Sequence, residues 1–340
     1  SVAVPLLREG RAIGGLALVF VSAAFGPATA EKEPQATVAK ESNDMLEKIS
    51  DPTVKAAMEA WQGKDLEGWL SHFTDDATFG SSQYFRIASV GATIEVDSGK
   101  LVDIQGGATS SATNGINTNG STSGPGASLT KTGAGTLRIS GGNGLFDGDG
   151  GWVVTQGTLS IAGTHADVLG DFNPTTVALR LNGGTVSYDT DTNDLVNSAI
   201  NTVLQASSTV ISNVATTGPG ISQRLNALTV NSGGLTLNVQ GGANVTSGVA
   251  GIAAGATTLN GDVTFNISDP VNGGTTLLTL GAVTGGTNAM TFTGNGDFAQ
   301  TGAIASTAAT AVTLGSGYSG LATFSQANTY TGATVVNGGT

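Results

Sequence analysis

The sequence predicts a mainly β protein, a β-solenoid of stacked coils preceded by a short helical segment. Three observations predict it. From residue 80 onward, short runs alternate apolar and polar side chains with a period of two. Gly-Gly, Asn-Gly and Ser-Gly pairs separate those runs and permit positive φ at turns. The triplet Gly-Thr-Leu at 135–137 returns at 157–159, a spacing suited to one coil.

Composition narrows the function classes. The 340 residues include 52 Gly and no Cys, with 11% charged and 39% hydrophobic residues. A disordered chain of this polarity would carry more charge and fewer Val, Ile and Leu. A core is therefore possible, built from small and β-branched side chains because aromatics are only 5%. The formal charge of −12 argues against a phosphate-binding surface, so no nucleic-acid partner is expected. The basic residues beyond position 80 (Arg86, Lys100, Lys131, Arg138, Arg180 and Arg224) are scattered. Without cysteine there is neither a disulfide framework nor a thiolate metal site.

Residues 1–30 read as a signal peptide. Arg8 and Arg11 precede the apolar run from Ala12 to Phe25, and Ala28-Thr-Ala30 offers a cleavage site ahead of Glu31-Lys-Glu33. The run is short for a membrane span. A rival reading takes Val4 to Leu18 as a strand–turn–strand hairpin, which resembles part of a GAF sensory domain.

Residues 31–79 hold 11 of the 25 acidic residues and carry helix signals. Asp51 suits an N-cap with Pro52 at the first helical position. Val54, Ala57, Met58 and Trp61 follow at helical spacing. Gly63 ends that helix, and Leu66, Trp69, Leu70 and Phe73 repeat the pattern in a second. The stretch from Val54 to Phe79, with Phe73-Thr-Asp-Asp-Ala-Thr-Phe79, resembles the opening of SnoaL-like (nuclear-transport-factor-2-like) domains. That family folds as an α+β cone around a pocket. The curved sheet that should follow is not evident, because at Gly80 the composition turns to Gly, Ser, Thr and Asn.

Within residues 80–340 the predicted strands are Thr136–Ser140, Thr158–Ala162, Ala178–Asn182, Thr185–Tyr188, Leu235–Val239 and Val263–Ile267. Stacking would bury Leu137, Ile139, Leu159, Ile161, Leu179, Leu181, Val186, Leu235 and Leu237 in one core. At roughly 20–25 residues per coil, the segment holds on the order of 11–13 coils, a rod about 50–60 Å long. Asn182 and Asn231 at turns are expected to stack as hydrogen-bonded ladders. Trp152-Val-Val-Thr-Gln-Gly-Thr158 aligns with Thr334-Val-Val-Asn-Gly-Gly-Thr340.

Two stretches carry a family resemblance. Ala127-Ser-Leu-Thr-Lys-Thr-Gly-Ala-Gly-Thr-Leu-Arg-Ile-Ser-Gly141 resembles the autotransporter-associated β-strand repeat, or passenger-associated transport repeat. Ala327-Asn-Thr-Tyr-Thr-Gly-Ala-Thr-Val-Val-Asn-Gly-Gly-Thr340 is similar to the second half of that repeat. The resemblance implies a right-handed parallel β-helix, export and display outside the cell. In the first copy, Gly144-Leu-Phe-Asp-Gly-Asp-Gly-Gly151 replaces the family's short turn. No membrane barrel follows the second copy, so attachment to an outer membrane is expected through an anchor outside this chain.

The candidate sites are few. Asp147 with Asp149, and Asp189 with Asp191, are weak Ca²⁺ candidates by their clustered oxygens. Neither stretch has the twelfth-position Glu of an EF-hand, and acidic turns are the simpler reading. His72 and His165 lie far apart and suggest no triad or zinc site. Asp75 and Asp76 suit a helix end, and Gly285-Gly286 lacks the Lys-Ser/Thr of a phosphate loop. No catalytic residue, resident metal or cofactor is expected. The expected function is a non-catalytic exported stalk or adhesin that meets cell-surface or matrix ligands. The alternatives are a fibre subunit assembling as a homo-oligomer by coil stacking, and a SnoaL-like ligand-binding or enzymatic domain with a repeat tail.

Overall fold

The structure is a computed structural model. It describes residues 92–104, 128–140, 151–163, 168–169, 178–194 and 200–339, and the strand backbones at 2–8, 11–18, 78–79, 84–86 and 115–117. The chain divides into two units, Ser1–Ala77 and Thr78–Thr340. In the first, Val2–Arg8 and Arg11–Leu18 pair antiparallel, with Val2 opposite Leu18. The expected cleavage site at Ala30, the helices over 51–74 and the SnoaL-like stretch up to residue 77 lie outside the described residues.

The second unit is a β-solenoid. Its strands pair in parallel and form two long sheets, one of twelve strands and one of eleven. Each coil crosses the first sheet, turns a glycine-rich corner and crosses the second. The strands Leu129–Thr132, Trp152–Val154, Ala178–Asn182 and Asn201–Ala206 belong to the first sheet. Their continuations Thr136–Ile139, Thr158–Ile161, Thr185–Asp189 and Ser208–Asn213 belong to the second. All six strands expected from alternation are present, since the period of two puts Leu, Ile and Val on one face.

Register makes the core a set of columns. In the second sheet Leu137, Leu159, Val186, Val210, Val239 and Ile267 stand beside one another in successive coils. In the first, Val154, Leu181, Leu204, Val230 and Leu259 do the same. All of these are buried. Of the nine expected core residues, eight are buried and Leu235 is half-buried at a corner. Toward the C-terminal end the columns fill with aromatics. Phe292 lies between Phe265 at 5.6 Å and Phe298 at 4.3 Å, and Phe298 meets Phe324 at 5.4 Å.

The corner explains the glycine content. Gly157 has φ +65, and a Cβ there would lie 2.3 Å from the Gly133 carbonyl oxygen of the coil below. Only glycine combines that backbone conformation with such a close stack. The coils are longer than length alone suggests. Thr158 stands beside Thr136, 22 residues earlier, but Thr257 stands beside Leu228, 29 residues earlier. The solenoid therefore has fewer coils than the 11–13 expected.

The extra residues build a third side. Gly218–Val230 and Val245–Leu259 are each one long strand with irregular register around Asn226, which has φ 51 and donates from Nδ2 to the Ile200 carbonyl at 3.0 Å. Past that bend, residues 228–230 and 257–259 continue the earlier columns and lead to Val283–Gly286 and Ile304–Ser306. Before it, residues 218–224 begin a new limb. Gln223, Ile252, Leu278, Phe298 and Ala322 form its inward column. Alternation does not reveal this limb, because Gly218-Pro-Gly-Ile-Ser-Gln-Arg224 reads as a turn.

Two sequence expectations are corrected. Asn182 and Asn231 are exposed at corners. The asparagine ladder instead lies on the outer face of the second sheet, where Asn266 Nδ2 donates to Asn238 Oδ1 at 2.9 Å and Thr293 Oγ1 to Asn266 Oδ1 at 3.2 Å. The aligned heptads also take different places: Trp152–Val154 lies in the first sheet and Ala333–Val336 in the second. The equivalence of Gly135-Thr-Leu with Gly157-Thr-Leu is structural, since Thr136 and Leu137 stand beside Thr158 and Leu159.

Candidate functional site: the acidic corner and the polar face

Asp189 and Asp191 flank the end of strand Thr185–Asp189, and the sheet brings hydrogen-bond donors to both. Asp189 accepts from Ser187 Oγ at 2.8 Å and Asn213 Nδ2 at 2.9 Å on one oxygen, and from Ser160 Oγ on the other. Ser160 and Asn213 are the register neighbours of Ser187 and Asp189 in the coils on either side. Asp189 is thus a staple across three coils. Asp191 accepts from the backbone N–H groups of Ala215 and Thr216 at 2.9 and 3.2 Å, and from Thr216 Oγ1 at 2.9 Å. The bonds from Thr216, and less so that from Ala215, hold its carboxyl below the usual range, with desolvation opposing them.

The same stretch runs on against the new limb. Asn193 Oδ1 accepts from the Ser222 N–H at 2.9 Å, and the Asp194 N–H donates to the Ser222 carbonyl at 2.9 Å. Gln223 Nε2, fully buried, donates to the Thr192 carbonyl at 2.7 Å. Arg224 pairs with Asp194 at 2.7 Å. Asp194 holds φ 48, in a region that non-glycine residues rarely occupy but Asp tolerates. The arrangement gives the carboxylates donors rather than a shell of open oxygens. Its chemistry is that of a clamp on a sheet edge. Among the described residues no group of three or more His, Cys, Asp or Glu is gathered to hold a metal ion.

Asp147, Asp149, His165, His72, Asp75 and Asp76 lie outside the described residues. Gly285 and Gly286 end the strand Val283–Gly286. Arg224 and Gln223 were not singled out by sequence. A signal existed, because the only charged residues from 181 to 261 are Asp189, Asp191, Asp194 and Arg224.

Tyr188 projects inward beside this corner and is fully buried, with its hydroxyl directed at the Arg224 carbonyl at 3.5 Å. Burial pushes its pKa up. Tyr318 is pushed up to about 12, chiefly by burial and then by the charge of Asp297. A phenol whose pKa is raised on folding contributes stability that is complete below about pH 10 and is lost as pH climbs toward the folded value. Tyr188→Phe is expected to match the parent protein at neutral pH, since the bond it loses is long, and to stay folded at a higher pH in an alkaline circular-dichroism titration. An unchanged alkaline midpoint would count against Tyr188 as the sensitive group.

The outer face of the second sheet is a candidate contact surface. Thr136, Thr158, Thr185 and Thr209 stand in one column. Thr236, Thr264, Thr291 and Thr313 stand in another. Asn238 and Asn266 continue the first column past Thr209. The methyl, hydroxyl and amide groups of these columns make a polar surface on which Arg138 and Asp189 are the charged interruptions in residues 136–268.

No family model, curated protein or solved structure matches this chain.

Proposed function

We propose that the chain is a non-catalytic structural segment, a right-handed solenoid stalk of an exported surface protein that makes contacts through its outer faces. The observation that carries this reading is the pairing of a side-chain-filled interior with columns of Thr and Asn that run through successive coils on the outer face of the second sheet. A rod of stacked coils presents the same polar columns along its length, which suits extended, repetitive contact with a cell-surface or matrix ligand. The likeness of residues 127–141 and 327–340 to the passenger-associated repeat supports export, and the lack of cysteine is compatible with it. In this reading the carboxylates at 189–194 serve the fold, and the segment needs no cofactor.

Intact producing cells treated with an external protease, then fractionated, test the proposal. Loss of the protein from intact cells, or its recovery from the medium, is the expected result. A pool protected until lysis and found in the cytoplasm would overturn export. Turnover tied to residues of the solenoid would overturn the non-catalytic reading.

A further inference from the structure

The four charges between residues 181 and 261 meet at one place, the start of the third side of the solenoid. There the first strand of the new limb, residues 218–224, pairs on one side with the strand from Val245. Its other side would be an open edge with unpaired N–H and C=O groups, a hazard for unwanted strand addition. Residues 190–194 cover it. They present an amide oxygen from Asn193 to the Ser222 N–H and a backbone N–H from Asp194 to the Ser222 carbonyl, as a neighbouring strand would. Gln223 and Arg224 reach back to Thr192 and Asp194.

We propose that residues 190–194 are an acid-releasable strap that guards this edge. Three features carry the inference. The strap is joined to the limb by side chains and by one backbone pair, so it can leave without unpairing the sheet behind it. Two of its anchors are exposed carboxylates, Asp191 on the Ala215 and Thr216 donors and Asp194 on Arg224. The charged groups around it are Asp189 on the adjoining strand and Arg224 on the limb. The loop that carries Ala215 and Thr216 has no charge of its own.

Protonation weakens every acceptor bond of Asp191. Asp191 binds its proton more weakly in the folded state than unfolded. Its contribution is therefore complete above the ordinary carboxylate range and is lost as pH falls through the lower folded value. Release occurs in acid and exposes the Ser222 N–H and C=O. Asp189 takes its donors from Ser160, Ser187 and Asn213 of the second sheet and none from the limb.

Hydrogen exchange of the full chain, followed by mass spectrometry and corrected for the intrinsic rate at each pH, tests this. Between neutral pH and about pH 3, protection across 215–224 is expected to fall by about threefold or more, while that of 263–268 holds. Asp191→Asn should show part of that loss already at neutral pH and a flatter pH dependence. Asp194→Asn, which removes only the ion pair, should show a smaller loss that is reproduced in the parent by high salt. Retained protection of 215–224 at about pH 3, or loss only together with 263–268, overturns the strap.

Discussion

Phe292→Ala is expected to uncouple the C-terminal coils from the rest of the solenoid. Phe292 is fully buried and touches both Phe265, one coil earlier, and Phe298 on the adjoining side. Truncating a buried Phe costs about 3–5 kcal/mol, and each lost aromatic pair lies within or adds to that by about 0.5–1.5 kcal/mol. In a solenoid this loss is not spread over the molecule. Each coil touches only its neighbours, so stability is close to a sum of coil and interface contributions. A cavity at Phe292 weakens the interface between Val263–Ser268 and Met290–Gly294, together with that between Met290–Gly294 and Thr310–Tyr318. The strands beyond residue 290 should then melt first. Urea titration should show an early transition absent from the parent, and exchange protection at 312–336 should fall while that at 136–239 is kept. A single transition with uniform loss of protection would show that the coils are coupled over a longer range than nearest neighbours.

The parts of the fold that were legible follow from side-chain chemistry of period two. Thr136-Leu-Arg-Ile and Val263-Thr-Phe-Asn-Ile have a Leu, Ile, Val or Phe at every second position, and a half-buried strand is the only element that uses that pattern. The third side was not legible because its strands do not depend on such alternation. Gly218–Arg224 holds three apolar or small positions and a proline, and it is a strand because partners on both sides satisfy its backbone. Val245–Leu259 is rich in Gly and Ala, whose small side chains let adjacent coils approach: a Cβ on Gly251 would lie 2.3 Å from Ser222 Oγ. At the site, Asp189 and Asp191 stand out in the sequence as clustered carboxylates, but spacing cannot tell a metal ligand from a carboxylate that caps backbone N–H groups. That distinction depends on Ser160, Asn213 and Thr216, which lie 24 to 29 residues away and meet the carboxylates only when coils stack.

Lys131 is where sequence and structure are furthest apart, and its replacement is expected to have the second large effect. Its position two residues after Leu129 puts it on the inward face, between Ile94 and Val154 in an otherwise apolar column. It is fully buried. The ammonium group donates to the carbonyls of Thr132 and Gly133 at 2.7 Å each and of Gln156 in the next coil at 3.1 Å. Replacing a buried charge with an apolar side chain of similar volume is often neutral or stabilising, because the desolvation cost disappears. Here the acceptors decide the sign. Gly133 has φ +75, and a Cβ on it would lie 2.3 Å from the Val96 carbonyl oxygen, so the corner cannot turn its carbonyls toward water. Lys131→Met therefore leaves three acceptors without the ammonium, one of them fully buried, and should cost about 2–4 kcal/mol in urea unfolding. Lys131→Ala should cost more, because it also leaves a cavity. The pH dependence separates this account from simple loss of packing. Burial lowers the Lys131 pKa from 10.5, with Glu95 opposing the shift. In the window between the lowered value and 10.5 the unfolded chain binds more protons, so this group makes the parent gain stability as pH rises. That gain should be missing in Lys131→Met when both proteins also carry Tyr188→Phe and Tyr318→Phe, which remove the opposing alkaline losses. A Met variant as stable as the parent, or one that keeps the gain, would show that the corner carbonyls find other donors and that the ammonium is not what holds the turn.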